Sequence, residues 1–179
     1  MNFITEEGKE DFIRDLTVND IQDIVRLCNE CLPTASYYRL EFYEKILKSL
    51  NSRCLGVYFD KKLIAMAAFK ICHKPRKSLS KLNLPFDKLN LKTYIILFCV
   101  KESYRRLGYG THLMNKIIEY SKQESTKLIY LHMSAANNVA LKFYNNFKFE
   151  IIDKVDNYYK GMINKNPTAY ILVLNLNIQ

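Results

Sequence analysis

Read as apolar and polar positions, the chain alternates short strand-like runs with longer helical ones. Asp11 to Leu16 alternates weakly, as an edge strand does. Beyond it, Ile21, Ile24, Val25, Leu27, Cys28 and Leu32 recur at helical spacing, with Thr17 as N-cap, Asp20 three residues on, and Pro33 as the stop. Leu40, Tyr43, Ile46, Leu47 and Leu50 predict a second helix. Cys54 to Phe59 and Leu63 to Cys72 are β-rich runs, and Asp60-Lys61-Lys62 between them reads as a hairpin turn. Tyr94 to Val100 is apolar at almost every position, the pattern of a strand covered on both faces.

The second half repeats the alternation. Leu113, Met114, Ile117, Ile118 and Ser121 fall on one side of a helix, and Lys127 to Met133 is a further apolar strand. Strand, helix, strand implies a right-handed parallel unit. Asn137 and Asn138 are capping residues for a helix bearing Ala140, Leu141, Phe143, Tyr144 and Phe147. Phe149 to Val155 and Ala169 to Leu176 close the chain as an antiparallel pair around a long loop that carries Tyr158 and Tyr159. The sum is an α/β fold of mixed α+β character, a seven-stranded mixed sheet with four helices in the order β-α-α-β-β-β-α-β-α-β-β.

Composition narrows the class. With 179 residues, 49% of them hydrophobic and 25% charged, one globular domain over residues 1–179 is expected. No apolar run approaches the ~18 residues that cross a bilayer, and Met-Asn-Phe-Ile-Thr-Glu-Glu has neither the basic start nor the apolar core of a signal peptide, so no membrane partner is expected. The five cysteines, Cys28, Cys31, Cys54, Cys72 and Cys99, read as free thiols; no second Cys or His pair completes a zinc set with Cys28 and Cys31, and no metal is expected. A net charge of +9 favours anionic partners such as coenzyme phosphates or RNA, but the lysines are scattered rather than grouped into a face for specific DNA. The exception is a Pro-containing basic stretch, about residues 74–91, with Lys74, Arg76, Lys77, Lys81 and Lys88, expected to be a flexible insertion.

One stretch carries chemistry on its face. Tyr104-Arg-Arg-Leu-Gly-Tyr-Gly-Thr111 lies between the apolar strand and the third helix. Gly108 and Gly110 let backbone approach a ligand, the amides of a helix's first turn have no internal partner, and Arg105 and Arg106 add positive charge. A pyrophosphate fits such a turn. The spacing is neither a Walker A loop nor the Rossmann fingerprint. It does match the R/Q-x-x-G-x-G/A signature, and with the element order it resembles the GNAT acetyltransferase superfamily.

The resemblance implies acetyl-CoA as cosubstrate, its pyrophosphate held by Arg105, Arg106, Leu107, Gly108, Tyr109, Gly110 and Thr111, and its pantetheine arm by Asn137. Tyr144 stands where many members orient or protonate the departing thiolate. Backbone amides near Phe98, Cys99 and Val100 suit the oxyanion of a tetrahedral intermediate. Further phrases, Tyr94-Ile95-Ile96, Ile129-Tyr-Leu-His132, Phe143-Tyr144, Phe149-Glu-Ile-Ile152 and Asn157-Tyr158-Tyr159-Lys160, resemble the N-terminal acetyltransferases of the NatE (San) type. In those enzymes Tyr94 and His132 correspond to the catalytic pair, acting through an ordered water. Pro33, Tyr37 or Tyr38, Ile96, Tyr158 and Tyr159 correspond to the peptide site, and the choice between Tyr37 and Tyr38 stays open because this connection is two residues longer. The implied substrates are protein N-termini or nascent peptides, with Met before an apolar residue favoured. The implied setting is the cytoplasm, with the nucleus also open, and a larger N-terminal acetyltransferase complex at the ribosome is compatible. Lys148 departs from the glycine common in the family, and Cys99 from a small residue on the cofactor strand.

Elementary chemistry supports these roles. An α-amino group with a pKa near ~8 is mostly protonated at neutral pH, so its attack on a thioester needs a base. A histidine suits that task, and a tyrosine can position water or relay the proton. Two alternatives remain: a lysine or small-molecule acetyltransferase of the same fold, and a nonenzymatic basic module binding RNA or a partner.

Overall fold

The computed structural model describes residues 3–4, 10–32, 34, 37–72, 91–162 and 166–176. The basic insertion expected at about 74–91 lies, up to residue 90, outside the described residues, as does Pro33. The strands are β1 (Phe3–Ile4), β2 (Glu10–Asp15), β3 (Ser52–Phe59), β4 (Lys62–Cys72), β5 (Lys92–Val100), β6 (Leu128–Ser134), β7 (Glu150–Val155) and β8 (Ala169–Asn175). The helices are α1 (Ile21–Cys31), α2 (Leu40–Leu47), α3 (Tyr109–Gln123) and α4 (Asn138–Asn146). The seven predicted strands and four predicted helices are all present, and the two-residue β1 adds an edge beyond β2. Strand order in the sheet is β1-β2-β3-β4-β5-β6-β8-β7. β5 and β6 run parallel, and the other strand pairings described are antiparallel.

The chain divides into two compact units, Met1–Lys70 with Ile96–Ile117, and Ile71–Ile95 with Ile118–Gln179. In the first, Thr17 and Asp20 form the reciprocal capping box that their spacing predicts, around a 3-10 turn at Val18–Asp20 that leads into α1. The Asp20 carboxylate also takes both terminal nitrogens of Arg14 and the hydroxyl of Tyr58, which together hold its pKa well below the usual carboxylate range despite its burial. The core beneath brings together Ile24, Leu27 and Cys28 of α1, Tyr43 and Ile46 of α2, and Met66, Ala68, Leu97 and Cys99 of the sheet. Each such aliphatic side chain contributes about 1.5–3 kcal/mol on burial. Leu50, counted above as the last apolar position of the second helix, lies past the end of α2 and is fully exposed, because Lys48 already caps the helix.

In the second unit, β6 pairs with β8 along its full length, from Leu128↔Asn175 to Ser134↔Ala169, and β7 pairs with the outer edge of β8. The foot of β5 is anchored by a buried hydroxyl cluster: Thr93 Oγ1 lies 2.7 Å from Ser121 Oγ and 3.2 Å from Thr126 Oγ1. Asn137 caps α4 as expected, its side-chain oxygen accepting the Ala140 N–H. The helix ends in a Schellman motif: the Phe149 N–H donates to Tyr144 O and the Lys148 N–H to Asn145 O. Lys148 sits at φ +64°, the left-handed conformation that glycine would adopt without strain.

The expectation that β5 is covered on both faces holds only for its first half. From Ile95 onward burial alternates, with Leu97 and Cys99 buried and Ile96, Phe98 and Val100 half-buried. Period-two geometry puts those three on the same side as Tyr94.

Candidate active site

The second unit assembles four of the predicted residues into one aromatic file. On β6, Leu128, Tyr130 and His132 alternate onto one face, and His132 stands opposite Ile171 in the β6–β8 ladder. On β5, Tyr94 is the cross-strand partner of Tyr130. The Tyr94 ring meets the imidazole of His132 edge to face, with centroids 5.8 Å apart and planes at 78°. The same imidazole stacks on Tyr158, at 4.7 Å and 11°. Tyr158 meets Tyr159 in a T-shaped pair at 4.8 Å. His132 and Tyr158 are half-buried, whereas Tyr94 and Tyr159 are buried.

The turn that delivers Tyr158 is built from backbone bonds. Asn157 adopts φ +59°, Lys160 N–H donates to Asn157 O, and Tyr159 N–H donates to Pro167 O at 2.8 Å. Asparagine tolerates the left-handed region better than most residues, which accounts for its place directly before the tyrosine pair. Tyr144 is buried on α4 against Phe143 and Phe149, with ring centroids 5.3 and 5.4 Å away. Helix packing is therefore at least part of its role. Asn137 is committed through its side-chain oxygen to its cap.

In the first unit, the predicted phosphate turn leads straight into a helix. The first bond of α3 runs from His112 N–H to Gly108 O, so the amides of Gly110 and Thr111 lie ahead of any intrahelical acceptor. Gly108 stands at φ +88°, and a Cβ built on it would meet nothing within 4 Å. Arg106 takes φ +65°, an uncommon cost for a bulky residue and one found at ligand-holding turns. Arg105 is braced by its Nε, which donates to Val100 O at 3.1 Å. Both arginines and Leu107 are exposed, and the side chain of Tyr109 is buried. A helix N-terminus with an open glycine and two arginines fits the pyrophosphate of a coenzyme.

The remaining predicted residues are less uniform. Cys99 points its side chain into the core, leaving only its backbone for a ligand. The thiol cluster around it is one-sided: contact with Cys28 and Cys31 and burial push the Cys99 thiol up, while Cys31 is drawn down chiefly by the Cys99 hydrogen bond. Tyr38 stacks on Phe42 at 4.3 Å and is half-buried, whereas Tyr37 is exposed. Tyr130, fully buried between β5 and β6, was not singled out by the sequence; its parity with His132 was the available signal. Among the described residues, no His, Cys, Asp or Glu group is arranged to hold a metal ion, and no helix is long and apolar enough to cross a membrane.

The arrangement offers an imidazole beside a phenol in one unit and an anion-binding helix start in the other. At 28% identity over 147 residues, the chain is similar to N-alpha-acetyltransferase 50 of Danio rerio, the match covering 82% of this chain and 78% of the relative. The probable N-acetyltransferase san of Drosophila melanogaster is 29% identical over 147 residues, covering 82% of this chain and 71% of the relative. Among solved structures, Arabidopsis thaliana Naa50 in complex with the bisubstrate analogue CoA-Ac-MVNAL shares the fold, with a TM-score of 0.74 at 21% identity over 93% of this chain and 99% of that one. The model of the acetyltransferase (GNAT) family matches residues 18–149, well over half the chain, and the protein therefore belongs to that family.

Proposed function

We propose that this protein transfers the acetyl group of acetyl-CoA to the α-amino group of protein N-termini, with Met followed by an apolar residue as the preferred start. The observation that carries this reading is the file Tyr94–His132–Tyr158–Tyr159, which sets a basic imidazole against tyrosines able to hold a peptide backbone. The names of the relatives support an N-terminal amine as acceptor, and the Met-Val start of the analogue bound to the Arabidopsis thaliana neighbour supports the side-chain preference.

In this mechanism the pyrophosphate of acetyl-CoA lies on the Arg105 to Thr111 turn. His132, with Tyr94 and an ordered water, takes the proton of the ammonium. The neutral amine then attacks the thioester carbonyl, whose oxygen is stabilised by β5 amides near Phe98 to Val100. Collapse of the tetrahedral intermediate breaks the C–S bond: the nitrogen loses its second proton to solvent, and Tyr144 gives its proton to the departing thiolate and regains one from solvent. Direct attack needs only proximity and proton transfer. The resemblance makes Pro33, Ile96 and an aromatic from the α1–α2 connection further candidates for peptide contact, and the exposure of Tyr37 makes it the better candidate of the tyrosine pair.

The test compares acetyl-CoA turnover on peptides beginning Met-Leu and Ser-Glu and on one with only an internal lysine free. The Met-Leu peptide is expected to be fastest by tenfold or more, on the order of the discrimination that one apolar pocket provides. Equal rates on all three would remove the N-terminal assignment in favour of a general amine acetyltransferase.

A further inference from the structure

We propose that Tyr130, backed by the thiol of Cys72, is a positioning residue that fixes the ring of Tyr94 for proton transfer. The proposal rests on the reading of Tyr94 and His132 as the base. Tyr94 and Tyr130 form the last of three residue pairs in the described parallel ladder of β5 and β6, after Lys92↔Leu128 and Thr93↔Ile129. Their rings lie 4.8 Å apart at 35°. Tyr130 is fully buried and two residues from His132 on the same strand, so it touches one member of the pair and shares a strand face with the other.

A ring in that slot needs no hydroxyl to fill space, and a buried phenol requires a polar partner. Sulfur is one such partner. Cys72 Sγ lies 3.7 Å from the Tyr130 hydroxyl and donates its own proton to the Lys92 carbonyl at 3.5 Å. With the S–H directed at the carbonyl, the hydroxyl is the donor and the sulfur the acceptor. The contact ties β4, β5 and β6 together two residues before Tyr94 and stops the Tyr130 ring from tilting. Catalytic groups must be held within about 0.5 Å of their productive geometry, and a 1 Å error can cost about a hundredfold. The Tyr94 ring packs against both Tyr130 and His132, neighbours on one face of β6, so the lean of Tyr130 sets where the Tyr94 hydroxyl points.

The experiment measures kcat, KM and the pH profile of kcat on a Met-Leu peptide for Tyr130→Phe, Cys72→Ala and Cys72→Ser, with melting temperatures and with Tyr94→Phe and His132→Ala alongside. Tyr130→Phe is expected to lower kcat about tenfold, with KM within about twofold and the pH profile displaced. Cys72→Ala should follow in the same direction, and Cys72→Ser, which keeps an acceptor, should recover most of the loss. A Tyr130→Phe enzyme with wild-type kcat and pH profile overturns the proposal. If Tyr130→Phe does not fold, Cys72→Ala decides: lowered kcat with rescue by Cys72→Ser supports positioning, and unchanged kcat overturns it. If Tyr94→Phe and His132→Ala keep full turnover, the reading of the base itself falls. If those two abolish turnover while the Tyr130 and Cys72 variants do not change it, only the positioning role falls.

Discussion

The imidazole of His132 lies almost parallel to the ring of Tyr158, 4.7 Å between centroids and 11° between planes, although the two residues come from a central strand and a distant turn. Stacking of this kind contributes about 0.5–1.5 kcal/mol beyond area burial. It also makes the orientation of the imidazole depend on a residue expected to contact peptide. Tyr158→Phe should therefore keep most of kcat, because the stack survives, while raising the peptide KM through loss of the hydroxyl. Tyr158→Ala should damage both. His132→Ala should cost between about 100-fold and 10,000-fold in kcat/KM, the range for a general base. Steady-state kinetics on one good peptide distinguishes the three.

The glycine turn makes a separable prediction. Gly108 is at φ +88° with open space where a Cβ would go, so Gly108→Ala should cost about 1 kcal/mol in stability through backbone strain alone. Its larger effect should be on acetyl-CoA, whose KM is expected to rise about tenfold with little change in the KM for peptide. Arg106→Ala should raise the same KM with little change in stability, because alanine keeps the Cβ that makes φ +65° costly. Parallel titrations of the two substrates check both.

Lys148 offers a stabilising change. Lysine at φ +64° in a Schellman cap bears a cost that glycine would not, so Lys148→Gly is expected to stabilise the protein by about 0.4–1 kcal/mol, a rise in melting temperature of roughly 1–4 °C. Turnover should not change. A drop in melting temperature would mean that the lysine side chain makes a stronger contribution than its backbone costs.

Asp20 sets an acid limit. Its folded pKa lies well below that of an unfolded aspartate, about 3.9, because Arg14, Thr17 and Tyr58 all favour the carboxylate. A depressed folded pKa stabilises the fold above the unfolded value and stops doing so as pH falls toward the folded one. Wild-type stability should therefore be level in this contribution above about pH 5 and decline below about pH 4. Asp20→Asn should lose about 2 kcal/mol at neutral pH, discounted from a fully buried pair because Arg14 is 39% exposed, and its acid decline should be shallower. Urea titrations at pH 7, 5 and 3.5 measure both.

Most of the fold was legible because each element carried its own signal: the Thr17–Asp20 box, the strands either side of Asp60-Lys61-Lys62, and the glycines before α3. Lys148 was legible too, as a departure whose backbone conformation could be anticipated. Harder to read were features set by tertiary context. Leu50 has the helical spacing of its neighbours but falls after the cap, and the half-coverage of Ile96, Phe98 and Val100 depends on what lies over β5 rather than on their apolar character. Tyr130 shares a strand face with His132 by spacing alone but carries no role there, because an apolar strand gives every aromatic the same appearance until its partner across the ladder is known. The order of Tyr94, His132, Tyr158 and Tyr159 in space reflects a parallel pairing and a turn, which spacing along the chain does not encode.

The imidazole and the ring stacked on it differ in how they are held. β6 is stitched to β8 from end to end, so His132 is anchored as firmly as any residue in the sheet, whereas Tyr158 rides on a turn closed by a handful of main-chain bonds. The proposed base and the proposed recognition ring are thus mounted on separate supports. On the proposed reading, a lineage built on this plan can resculpt the loop to greet new polypeptide starts, by insertion or exchange of a few residues, so long as the ring lying on the imidazole is retained.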